Sequence, residues 1–299
     1  DEVFRIADMV TVLRDGRVQS CRKVADTTPD GLVMDIVGRG IEEMFPESRH
    51  EIGDAVLEVK DLRSKSVGPV SFSVGGGEIL GLAGVSGNGQ GALARIISGL
   101  ELPRSGTMEI GEKRLKPAPR AVMREGLVRI PEDRHRDGIV GEMTVAENLV
   151  IEDVRSADFQ SFGFLDFSAI ARRAEEAIEA YDIRCPGADA VARLLSGGNI
   201  QKIILARTLD KEPKVALAAQ PTRGLDIGAT EDVHRRLFEA RAGGAAILLI
   251  SEDLDELFQM SDRIAVIHRG KVSLPQETAT LNRSQVGLMM AGQESEEAA

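Results

Sequence analysis

The sequence is short of cysteine, of histidine, of long apolar runs and of positive charge, and each shortage narrows what the protein can be. Its two cysteines, Cys21 and Cys185, lie far apart without metal-ligand spacing, and they read as ordinary thiols in a reducing cytoplasm. The four histidines, His50, His135, His234 and His268, are equally scattered, so no metal site is expected among them. No stretch approaches the roughly 18 to 20 uninterrupted apolar residues of a membrane-spanning helix. The first residues have neither the basic start nor the apolar run of a signal peptide, and the chain is expected to carry no export signal of its own. Lys and Arg number 37 against 48 Asp and Glu, a net charge of -11. That balance opposes broad nucleic-acid binding, whose affinity comes from cations neutralising phosphates.

What is present is enough for a full core. With 299 residues, 42% of them hydrophobic, the chain can hold one large domain or two small ones. The organisational signal is a repeat. Asp1, Glu2, Phe4 and Asp8 recur as Asp255, Glu256, Phe258 and Asp262, and Val12, Gly16 and Val18 recur as Val266, Gly270 and Val272. These seven identities fall within the first eighteen positions at a constant offset of 254, which Gly38 and Gly292 also obey. A period this long is that of a whole domain, far above the roughly 20 to 50 residues of a solenoid unit. The expectation is that residues 1–45 are the tail of one domain, 46–54 a polar linker containing Pro46, 55–292 a complete second copy, and 293–299 an acidic tail.

Within the second copy, residues 55–59 and 70–74 read as strands, and 78–83 as an apolar strand running into a glycine loop. A helix is expected over 92–100. Residues 145–193 are richer in helical pattern, with a helix over 168–181 that Ser168 could cap, and they suggest an inserted helical lobe. Strand signals return at 215–219, 246–250 and 264–267, separated by helical stretches such as 229–240. Such alternation points to an α/β fold with a largely parallel sheet covered on both faces.

The loop Gly84-Val85-Ser86-Gly87-Asn88-Gly89-Gln90-Gly91 has the glycines of a phosphate-binding loop. Its glycines allow backbone N–H groups and a helix N-terminus to face an anion. The lysine expected next is Gln90, and the Mg²⁺-binding hydroxyl is Gly91. Taken alone, a glycine loop with neither residue reads better as a plain strand-to-helix turn.

A second motif decides between these readings: Leu194-Leu195-Ser196-Gly197-Gly198-Asn199-Ile200-Gln201-Lys202, at the start of a helix. Here the chain resembles the ATP-binding-cassette (ABC) family, whose signature is LSGGQ or LSGGNQQK. The resemblance implies a P-loop NTPase fold with an antiparallel β subdomain and a helical subdomain over about 133–200. It implies further that Leu195, Ser196, Gly197, Gly198 and Asn199 close on ATP held by an opposing domain.

Other family positions follow from that alignment. Ala219 and Gln220 stand where the family has Asp-Glu before Pro-Thr, Asp226 keeps the D-loop aspartate, Glu252 replaces the switch histidine, and Glu132 sits at the centre of the sensing loop. No aromatic residue occurs in 59–69 on which adenine could stack. Four parts of phosphoryl-transfer catalysis are thus missing at Gln90, Ala219, Gln220 and Glu252. One lost donor typically costs about 10² to 10³ in rate. No catalytic residue competent in cis is expected.

Departures confined to one side suggest an asymmetric pair, in which this chain lends its signature to ATP and Mg²⁺ on a first cassette. The nearest resemblance is to the second cassette of bacterial nucleoside importers of the basic membrane lipoprotein type. Sugar importers of the ribose class, the alternative, usually keep Asp-Glu-Pro-Thr. The implied partners are the first cassette, transmembrane permeases docking near residues 132–140, and indirectly an extracytoplasmic substrate-binding lipoprotein. The implied place is the cytoplasmic face of the membrane, without nucleic acid. A DNA-repair ATPase would place a long coiled coil where only 106 positions separate Gly89 from Leu195, and a translation-associated tandem ATPase would keep both catalytic sites.

Overall fold

The computed structural model describes residues 2–14, 17–28, 31, 32, 35, 52–161 and 163–293. The acidic tail after Gln293, Gly38 and most of the expected linker lie outside them. Helix α1 (Glu2–Ile6), the antiparallel pair β1 (Met9–Arg14) and β2 (Arg17–Lys23), and a short 3-10 turn (Val24–Asp26) come first. Next are β3 (Ala55–Arg63), β4 (Val70–Gly75), β5 (Ile79–Ala83), α2 (Gln90–Ile97), β6 (Ser105–Ile110), β7 (Lys113–Arg114), α3 (Pro119–Arg124) and β8 (Leu127–Ile130).

A π-helical turn (Arg134–Gly138) then leads to α4 (Val145–Val150), the hairpin β9 (Gln160–Ser161) and β10 (Phe164–Leu165), and α5 (Phe167–Ala180). The chain continues with α6 (Gly197–Leu209), β11 (Val215–Ala219), α7 (Ile227–Ala242), β12 (Ala246–Ser251), α8 (Leu254–Met260), β13 (Arg263–His268), β14 (Lys271–Val272), β15 (Gln276–Glu277) and α9 (Arg283–Met290).

Strands β13, β5, β12, β11 and β8 lie side by side and all parallel, with β14 and β15 pairing antiparallel to β13. Each run is apolar because both faces are covered, and alternate residues enter opposite cores. Ile79, Ala216, Ala218, Ile247 and Leu249 face the helical side, while Leu80, Leu82, Leu217, Leu248 and Ile250 face the other. That second core is closed by α2 and by the antiparallel sheet β4-β3-β6-β7. This is the expected P-loop α/β architecture with an antiparallel subdomain.

The helical lobe hangs on buried polar groups. Arg207 donates to Gly138 O at 2.6 Å and Asn148 O at 3.3 Å, and pairs with Glu152 at 3.1 Å. Asn148, fully buried, accepts from Val140 N at 2.8 Å and donates to Val140 O at 3.0 Å. The residues after the π turn are thereby fixed to α4 and α6.

One local expectation is corrected. Helix α5 starts earlier than predicted, and its cap is Asp166, whose side chain accepts from Ala169 N, while Ser168 lies inside the first turn. Asp and Ser cap equally well, so the period alone misplaced the cap by two residues.

The repeat recurs as structure. Strand β1 maps onto β13, the start of β2 onto β14, and the turn Val24–Asp26 onto a turn at Thr278–Thr280, each at an offset of 254 residues.

Candidate functional site: a phosphate cradle and a signature loop held apart

The glycine loop leaves β5 and enters α2 at the carboxyl end of the parallel sheet, where open α/β sheets place ligands. Two glycines there are required. A Cβ at Gly84 would lie 2.6 Å from Ile267 Cγ2 and 2.9 Å from Ile267 O, and Gly89, at the helix start, has φ of 111°. The loop is pinned from a neighbouring turn: Asn88 Oδ1 accepts from Arg269 N at 3.0 Å, and Gly270 N donates to Asn88 O at 2.8 Å. The cradle shape is therefore built into the fold.

Its chemistry has been replaced. Gln90 is buried and folds back, donating from Nε2 to Val85 O at 2.8 Å. Strand β11 ends at Ala219, and Gln220 follows with a left-handed φ of 48°. Strand β12 ends one residue before Glu252, whose N–H faces Gln220 Oε1 at 3.4 Å. Registers Ala218↔Ile130, Ala219↔Ile250 and Ser251↔Ala83 bring these ends level.

A cavity of about 300 Å³ results, lined among others by Ser86, Gln90, Glu132, Ala219, Gln220 and Glu252. Every substituted position predicted from sequence thus meets the cradle. Two carboxylates and no Lys, Arg or His line it among the described residues. That charge weighs against a triphosphate, because like charges repel, and Arg223, which pairs with Glu132, offsets part of it. The residues present do not fit the family's Mg²⁺ site either: Gly91 offers no hydroxyl and Ala219 no carboxylate.

The signature lies elsewhere. None of Leu195, Ser196, Gly197, Gly198 or Asn199 lines the cavity. Exposed Ser196 is the N-cap of α6, its Oγ accepting from Asn199 N at 3.4 Å and from Asn199 Nδ2 at 2.9 Å. Asn199 Oδ1 in turn accepts from Arg184 N at 2.7 Å. Ile200, a departure from the family pattern, is fully buried in the helical-side core. Exposed Asp226 is the N-cap of α7, accepting from Ala229 N at 2.8 Å. The two helix starts adjoin, since a Cβ at Gly198 would lie 3.2 Å from Ala229 Cβ.

Sequence reasoning missed the groups between these regions. Arg223 pairs through Nη1 with Glu132, and Arg134 donates to Arg223 O. Behind them, buried Glu256 accepts from Thr222 Oγ1 at 2.8 Å and contacts His234 Nε2 at 3.0 Å. Burial alone would push the Glu256 carboxyl up, but hydrogen bonds from His234, Ser251 and Thr222 outweigh it and hold the group below its ordinary value. Arg134 sits in a run of charged residues and His234 in an ordinary helix, so no pattern marked either.

The family model for ABC transporters matches residues 67–223, just over half of the chain. The chain belongs to that family. Members of the family bind ATP with Mg²⁺. A solved ATP-binding subunit of an ABC transporter matches this cassette with a TM-score of 0.63 and 25% identity, over 80% of this chain and 95% of its own. A nucleotide-free ATP-binding cassette from an ABC transporter, 23% identical, gives a TM-score of 0.62 over 75% of this chain and 91% of its own and supports the fold.

Among curated relatives, the nucleoside import ATP-binding protein NupA of Lactococcus lactis subsp. cremoris is 40% identical over 299 residues. The guanosine import ATP-binding protein NupO of Bacillus subtilis is 40% identical over 303. Each alignment covers 98% of this cassette chain and 59% of the relative. The ribose import ATP-binding protein RbsA of Clostridium tetani is 37% identical over 284 residues, 94% of this chain and 56% of its own. The chain thus spans less than two thirds of the length of these relatives.

Proposed function

We propose that this chain is the second of two ATP-binding cassettes in an importer ATPase, and that it presents Ser196, Gly197, Gly198 and Asn199 to an ATP held by the first. One observation carries the reading: all four substituted catalytic positions converge on one cavity, while the signature and Asp226 stand intact outside it. Residues 1–45 then belong to the end of the first cassette, 46–54 to the linker, 55–292 to the second cassette and 293–299 to its tail. The 254-residue structural repeat and the longer relatives support that division.

The importer reading brings permease partners, an extracytoplasmic binding lipoprotein and a peripheral position on the cytoplasmic face of the membrane. No helix among the described residues is long and apolar enough to cross a membrane. Permease helices have a place to dock, a cleft of about 790 Å³ between Arg120, Met123 and Val128 on the core and Glu152, Arg155 and Lys211 on the helical side. It lies beside residues 132–140 rather than on them; a smaller cavity of about 220 Å³ reaches Pro131 and Asp137. Nucleosides are the favoured cargo, because Ala219 and Gln220 replace the pair that ribose-class importers usually keep and because NupA and NupO stand at 40% identity.

The test combines assembly with turnover. The complete ATPase is expected to co-purify with membrane permeases and not with ribosomes, and this chain alone to hydrolyse no ATP above background. Robust turnover by the chain alone would overturn the proposal. Uptake of labelled guanosine against labelled ribose separates the two cargo classes.

A further inference from the structure

The turn between the cradle and the signature helix touches both. Glu132 lines the cradle cavity and pairs with Arg223. Two residues on, Arg134 opens the π turn, which Asp133 caps by accepting from His135 N at 3.2 Å and Arg136 N at 3.0 Å. The far end of the turn is fixed to the middle of α6. Gly138 packs so close to Ile204 that an added Cβ would lie 2.4 Å from its Cδ1, and Gly138 O accepts from Arg207.

The near end meets the first turn of the same helix. The Arg134 guanidinium donates through Nη2 to Arg223 O, while its buried Nη1 makes no hydrogen bond among the described residues and packs against the signature turn, 3.1 Å from where a Cβ of Gly197 would be. Nη2 is also 3.7 Å from the corresponding point at Gly224. One planar, rigid side chain therefore spans the signature loop and the D-loop turn. A Cβ at Gly197 would make that guanidinium shift by a few tenths of an ångström.

We propose that Arg134 is a positioning residue for the signature, fastening the first turn of α6 to the segment 223–226 so that Ser196 and Asp226 are presented as one face. The proposal assigns a strap within this chain, and only its consequence for turnover rests on the function proposed above. A side chain that bridges two turns slows their separate opening, and loss of one charged hydrogen bond raises local opening about tenfold or more.

Amide hydrogen exchange on this chain tests the strap without any ligand. Arg134→Ala is expected to speed exchange about tenfold at the Asn199 and Leu225 amides, which are bonded to Ser196 Oγ and Thr222 O, while leaving α2 unchanged. Arg134→Lys, which can still donate to Arg223 O but loses the planar group packed beside Gly197, should keep Leu225 protected and release Asn199. Wild-type exchange at both amides in Arg134→Ala would overturn the strap.

If Arg134→Ala fails to fold, Gly197→Ala provides the check. Its new methyl crowds Nη1, so it should loosen 224–226, a segment it does not adjoin in sequence; unchanged exchange there would overturn the strap. In the complete importer, Arg134→Ala should lower kcat about tenfold with little change in KM for ATP, and Arg134→Lys should recover part of it. Faster exchange combined with turnover indifferent to both Arg134 and Ser196 would uphold the strap and sink the functional reading.

Discussion

The phosphate cradle and the signature loop are both glycine-bearing entries into a helix, yet the first lacks the lysine, hydroxyl and carboxylate of the family pattern while the second keeps its serine and glycines. The cradle hangs on the central sheet, where Gly84 and Gly89 are fixed by backbone contacts that any sequence folding this way must respect. Gln90, Ala219, Gln220 and Glu252 line the cavity beside that frame, and none of the backbone contacts that fix Gly84 and Gly89 depends on their side-chain chemistry. Signature residues differ in that Ser196 and Asp226 each cap a long helix. Fold and function are separable at the first site and share residues at the second.

The largest expected effect comes from trying to erase the difference. Changing Gln90→Lys, Gly91→Ser, Ala219→Asp, Gln220→Glu and Glu252→His together restores the lysine, the hydroxyl, both carboxylates and the histidine, and in the complete protein it should raise hydrolysis at this site by at least about 10² over Gln220→Glu alone. Gln220→Glu alone should stay at background, since groups acting as a unit are not additive. A single-turnover assay with the first site disabled reads both.

Next is the anchor of the helical lobe. Arg207→Ala leaves the Gly138 and Asn148 carbonyls without their donor, while Glu152 keeps Lys211, and should cost about 1 to 3 kcal/mol per orphaned carbonyl in urea unfolding. Exchange should rise in α6 before α2, because Arg207 holds the signature side and touches nothing of the cradle. Smaller still, Asp226→Ala removes one cap and should cost about 1 kcal/mol. Asp226→Asn should recover most of it, since Asn caps equally well.

The smallest effect is on pH dependence. Glu256 has a carboxyl held below its unfolded value, so its contribution to stability is present above the ordinary carboxylate range and fades as pH falls through the lower folded value. Glu256→Gln should therefore destabilise most at neutral pH, and the gap from the parent should shrink as the solution is acidified toward about pH 4. A gap that widens in acid would reverse the sign assigned here.

What could be read from the sequence follows from how each element is buried. Strands β5 and β11 are apolar at every position, because both faces are covered, and their predicted and observed bounds differ by one residue at most. Strand β8, helix α3 and the two-residue strands escaped notice because runs this short carry no usable period. Glycine spacing revealed the cradle, and residue type alone revealed what it lacks. Arg134 was hidden for a different reason: its partners Arg223 and Gly197 are 89 and 63 positions away, and one charged residue among neighbours of both signs has no pattern. Contacts made across the fold have to be seen in it.

One measurement tests the asymmetry most directly: ATP hydrolysis by the complete importer ATPase with its permeases, comparing Ser196→Ala with Gln90→Ala. The account predicts a loss of about 10² or more for Ser196→Ala and parent activity for Gln90→Ala. Full activity in Ser196→Ala, or a comparable loss in Gln90→Ala, would contradict it.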